Sequence, residues 1–223
     1  MKGKTSAMRF ASLQSALRGA RETLARFPIP ILAGLLATIV TMTMIEGPQR
    51  PWQPRLIALA MIGLALTTAT ATTAERRGYP ARVRFLIDGF VVLGLALLFL
   101  TSRGWSDALT VIRFAPLALG AHLLVAIGPW LGAKEEPGFW QFNRFLLLRW
   151  LIAARYAAVL WGGLSIALLA LDKLFGVTIP REFYGDLWAL FAFGFHPWFY
   201  LAGVPRDFDA LETLEEYPTG LKV

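Results

Sequence analysis

Six long apolar runs, each closed by a short polar stretch, organise the 223 residues of this chain. They cover residues 27–45, 56–74, 85–101, 108–131, 142–171 and 183–203. An α-helix needs about 20 apolar residues to cross the roughly 30 Å hydrocarbon core of a bilayer. The pattern therefore predicts an all-α, polytopic transmembrane helix bundle of about six spans. Two-residue alternation is absent, which excludes a membrane β-barrel. As one helix the fifth run would extend about 45 Å. Its Arg-bearing start is therefore expected in the headgroup layer, leaving 145–171 as the span.

The punctuation supports the same elements. Pro28 and Pro30 open the first run, where a helix tolerates proline. Pro48, Pro51 and Pro54 mark the first loop, and Gly78 with Pro80 the second. A loop is expected over 132–141, around Lys134, Glu135, Glu136, Pro137 and Gly138. The later half of the second run (Thr67, Thr68, Thr70, Thr72, Thr73) is expected to face other helices rather than lipid. Before the first run, Phe10, Leu13, Leu17, Ala20, Leu24 and Phe27 recur at steps of three and four. With six basic residues against Glu22, residues 1–26 read as an amphipathic helix on the cytoplasmic membrane surface. Residues 204–223 read as an acidic cytoplasmic tail or linker. In it Asp207, Asp209, Glu212, Glu215 and Glu216 are expected to be solvated, since their spacing fits no EF-hand loop.

Charge sets the orientation. Outside the spans, Lys and Arg number fourteen on the side of the termini and five on the other. The positive-inside rule then places both termini in the cytoplasm. Charged residues are only 17% of the chain, below the roughly 25% of soluble domains. The net charge of +7 lies at span ends, where lipid headgroups account for it, so no nucleic-acid partner is expected. The absence of cysteine excludes disulfides, thiolate metal sites and cysteine nucleophiles.

Four segments in fixed order carry a family resemblance: Phe139-Trp-Gln-Phe-Asn-Arg144, Ala157-Ala-Val-Leu-Trp-Gly-Gly-Leu164, Leu174-Phe-Gly-Val177 and Tyr200-Leu-Ala-Gly-Val-Pro205. The ending Tyr217-Pro-Thr-Gly-Leu-Lys222 completes the series. Together they resemble the DUF4153 family of uncharacterised bacterial integral membrane proteins. The resemblance implies that further membrane helices follow Val223, making this chain the N-terminal part of a longer protein. It brings no catalytic residue.

Ionisable residues inside spans are the candidate site residues, because an uncompensated one in hydrocarbon costs several kcal/mol. They are Asp88, Arg113, His122, Arg149, Arg155, Asp186 and His196. Depth suggests an Asp88 pair with Arg149 or Arg155, and an Arg113–Asp186 pair; ion pairing or snorkelling is the plain alternative to a substrate path. His122 and His196 share a depth and could relay protons or hold a metal, but no third ligand is evident. His196-Pro197 also marks a kink. Ala154, Ala158 and Gly162 form a small-residue stripe, expected to pack inside the bundle, or else between copies. No serine-hydrolase, phosphate-loop, zinc-protease or dinucleotide motif occurs, so no catalytic residue, cofactor or metal is assigned. The leading expectation is a transport- or channel-like membrane component, with the lipid bilayer as its partner. The alternatives are a non-enzymatic scaffold or anchor of a longer protein, and last an intramembrane enzyme.

Overall fold

The computed structural model describes residues 18–104, 107–132 and 136–212. Among these, all regular structure is helical. The elements are α1 (18–26), α2 (Pro28–Glu46), α3 (Trp52–Arg76), α4 (Ala81–Thr101), α5 (Asp107–Ile127), α6 (Glu136–Phe175), α7 (Arg181–Ala189), a π-helical stretch (Leu190–Phe195), α8 (His196–Ala202) and α9 (Phe208–Glu212). Among the described residues, five helices are long and apolar enough to cross a membrane. The apolar positions Phe10, Leu13 and Leu17, the loop residues Lys134 and Glu135, and the tail from 213 onward lie outside the described residues.

α3 is the centre of the bundle, packed against α2, α4 and α5. Its Thr-rich half is interior as expected: Thr67, Thr68 and Thr72 are fully buried. Each hydroxyl donates to a carbonyl four residues back, Thr67 to Gly63 at 2.7 Å and Thr68 to Leu64 at 2.7 Å. The polar group is thus satisfied within its own helix and adds no bulk to the interface. The helix ends at Gly78, whose φ of +63° is a left-handed cap. There the Tyr79 N–H reaches back to the Ala74 carbonyl at 2.9 Å.

Successive chain ends alternate between two faces. At one, Arg26 pairs with Glu75 at 2.7 Å and also donates to the carbonyls of Val204 and Pro205. Arg77 there reaches the Leu131 carbonyl at 2.6 Å. At the other, the Arg55 guanidinium bonds the Ser102 carbonyl, and Gly185 lies against Ile45. The first face, rich in arginine, is called the basic end below.

Three expectations need revision. The sixth run is not one long α-helix. It is helical from Arg181 to Ala202 but widens into a π turn over Leu190–Phe195. Pro197 has no N–H to offer the Phe193 carbonyl, so the regular ladder cannot pass that point. That carbonyl instead meets α2 at Gly34, where any Cβ would lie 2.7 Å from its oxygen. The broken helix still runs the length of α2, from Ile45 to the Arg26 network. The fifth helix begins at Glu136, inside the expected loop, because proline at its second position is tolerated in a first turn. Its 40 residues extend about 60 Å, well beyond a bilayer core. Finally, the acidic segment is not simply solvated. α9 docks Phe208 (6% exposed) and Leu211 (5%) at the basic end. Phe208 faces the Phe142 ring, and Glu212 pairs with Arg76 at 2.9 Å.

Candidate functional site

The two histidines come together. His122 of α5 and His196 of α8 line one cavity of about 280 Å³, walled by α3, α5, α6 and α8. Thr68, Asn143, Trp150 and Tyr200 complete its polar lining. The Nδ1 of His122 lies 2.7 Å from the Ala118 carbonyl. A carbonyl can only accept, so the proton of a neutral ring sits on Nδ1, leaving Nε2 as an acceptor. His196 stands edge-on to Trp150, with ring centroids 5.8 Å apart, and its Nε2 is buried without a hydrogen-bond partner.

A second cavity of about 320 Å³ follows the same seam toward the opposite end, between α6 and α7 with the π stretch. Ala154, Ala157 and Trp161 wall it on α6, Trp188 and Ala192 on the other side. Among the described residues, His196 is the one side chain lining both cavities. It stands where the π stretch hands over to α8. A π turn displaces the following side chains from regular helical register, which is why such turns recur at functional positions. No cluster of three or more potential metal ligands occurs among the described residues.

The charged candidates arrange themselves differently from their expected pairings. Asp88 is wholly buried and meets neither Arg149 nor Arg155. It accepts the Thr70 hydroxyl on Oδ1, while Arg84, one turn earlier on its own helix, brings Nε to 3.7 Å from Oδ2. Depth alone favoured α6 as the partner, but α4 packs on α3 instead. Arg149 lies against Gly203 near the basic end, and Arg155 is exposed on α6. Arg113 and Asp186 are not brought together, since α5 packs on α3 whereas α7 packs on α2. Asp186 is half-buried, its Oδ1 without a hydrogen-bond partner.

Sequence reasoning missed Arg84 as the partner of Asp88, although the i,i+4 spacing was visible. The small-residue stripe faces the bundle in part: Ala154 and Ala158 line the second cavity. Ala153 and Ala157 are buried, while no atom approaches the Cβ position of Gly162 within 4 Å. Comparison with known proteins finds no match: no family model fits the sequence, and neither a curated protein nor a solved structure matches the chain.

Proposed function

We propose that this chain is a transport- or channel-like component of a bacterial inner membrane, with both termini cytoplasmic. Protons or small solutes would move along the seam between α6 and the broken helix α7–α8. The observation that carries the reading is the place of His196. It separates two cavities lying end to end along the seam, and its buried Nε2 is unpartnered. An imidazole has one nitrogen that can accept a proton and one that can donate it, so it can take a proton from one side and release it to the other. The unwound stretch before it adds support, because transporter sites form where helices are interrupted. The basic end would face the cytoplasm by the positive-inside rule. The resemblance of the ordered segments from Phe139 onward to the DUF4153 family agrees with this placement.

The test is proton flux into liposomes carrying the purified protein, driven by a potassium–valinomycin potential and read by an entrapped pH dye. Flux above empty liposomes is expected, falling at least tenfold in His196→Ala and several-fold in His122→Ala. Flux indistinguishable from empty liposomes, for protons and small cations alike, would favour the scaffold reading.

A further inference from the structure

α6 turns one side to the bundle, where Leu146, Ala153 and Ala157 are buried. At 3.6 residues per turn, Arg155 stands on the opposite side. Leu148, Leu151, Val159, Gly162 and Ile166 form one stripe with it, at steps of three and four. Leu148, Val159 and Ile166 are 44%, 63% and 69% exposed. Arg155 is itself exposed, and no described residue bonds to it or pairs with it.

Its depth makes that costly. Trp150 meets the His196 ring, and the Trp161 N–H reaches the Tyr184 carbonyl at 3.3 Å. Arg155 lies between these two contacts, level with the start of the π stretch at Leu190. The broken helix runs from Arg181 to Ala202, so its ends lie about 15 Å from that level. An arginine side chain is too short to snorkel so far. A guanidinium facing hydrocarbon at mid-depth has no acceptor for its N–H groups, and such charges pair with one another or with backbone carbonyls. Within the spans the two acids are Asp88, which accepts the Thr70 hydroxyl, and Asp186, half-buried on α7.

The charge decides what can cover this face. Lipid phosphates lie at the membrane surface, out of reach. A second copy would set Arg155 against Arg155 at equal depth in a symmetric pair, and like charges repel. A helix with a carboxylate at mid-depth supplies the bidentate acceptor that fits a guanidinium, in surroundings of low dielectric where the attraction is strong. Gly162, two turns along the stripe, and Gly163 have no atom within 4 Å of their Cβ positions, so such a helix can come close.

We infer that the Leu148–Ile166 face of α6 docks a transmembrane helix of a different protein, held by a mid-depth Asp or Glu on Arg155. The pairing requires that this chain span a membrane, and requires no flux through the histidine seam.

Energy transfer in phosphatidylcholine liposomes tests it. The dye-labelled protein is offered leucine–alanine transmembrane peptides that differ only in one central residue, Asp or Leu. The Asp peptide should bind at least tenfold more tightly. Arg155→Leu should bring the two peptides within twofold of each other, with helicity unchanged by circular dichroism. Arg155→Lys keeps the charge and should keep most of the preference. Gly162→Leu obstructs close approach and should weaken binding of the Asp peptide several-fold. Equal binding of the two peptides by the unaltered protein would overturn the proposal, as would a preference that survives Arg155→Leu. So would a dimer of the chain that forms in the same liposomes and is lost in Arg155→Leu.

Discussion

α3 and α6 have the same mean hydropathy, 1.7, in their most apolar stretches, yet 61% of that stretch of α3 is buried inside the protein and none of that of α6. Hydropathy therefore says that both helices belong in a membrane and nothing about which is interior. Between lipid tails and leucine side chains there is no hydrophobic difference to drive helices together. What differs is size and self-satisfied polarity. α3 offers Gly63, Ala60 and hydroxyls folded back on their own backbone, so α2, α4 and α5 can close around it. α6 offers Phe145, Leu147, Trp150, Leu160 and Ile166, all exposed. Its contact with α7 and α8 runs through aromatic rings that leave cavities. The half of the molecule around α3 is thus close-packed, while the loosely packed seam carries the histidines.

The contrast breaks most sharply at the charges. Arg84→Ala leaves Asp88 ionisable, wholly buried and without a counter-ion, and should cost about 3–5 kcal/mol. Arg155→Ala, on the exposed flank of α6, should shift stability by no more than about 0.5 kcal/mol. Reversible unfolding in mixed detergent micelles measures both. An Arg84→Ala protein as stable as Arg155→Ala would mean that α3 and α4 are not sealed against each other. Adding Asp88→Asn to Arg84→Ala should recover part of the loss. The next effect concerns the tightest helix crossing. Gly34→Leu drives a side chain into the Phe193 carbonyl and should cost about 1–3 kcal/mol in the same assay, through overpacking. Smaller still is Thr68→Val, which keeps shape and removes a hydroxyl bonded at 2.7 Å to its own helix. Both partners of that bond are local, so about 1 kcal/mol is expected.

Much of the architecture could be read from the chain. Run lengths and proline positions give the helices, and the threonine-rich half of α3 announces its interior place. The pairing of charges could not be read. It depends on which helices are neighbours, and depth along a helix carries no information about its azimuth. Asp88 illustrates this: the acidic residue was visible, but Arg84 and Thr70 become its partners only because α4 leans on α3. His122 and His196 were visible as a pair of equal depth. That His196 lines two cavities follows from the π turn, and Pro197 signals an interruption without specifying its kind. The α9 docking was hidden because Phe208 and Leu211 are too few to form a pattern against five acids.

The finest test of the contrast lies at Gly162 of α6. Glycine within a helix costs roughly 0.5–1 kcal/mol relative to alanine, through backbone freedom in the unfolded chain. At Gly34 that cost is offset by the approach of Phe193. At Gly162 no atom lies within 4 Å of the Cβ position, so nothing in the single chain offsets it. Gly162→Ala should therefore stabilise the protein slightly, by up to about 1 kcal/mol, with the same mass in native mass spectrometry before and after. A loss of stability, together with the disappearance of a dimeric species, would identify the Ala154–Ala158–Gly162 stripe as a contact between copies. α6 would then be an interior helix of a larger bundle, and the difference from α3 would lie in which protein covers it rather than in whether any does.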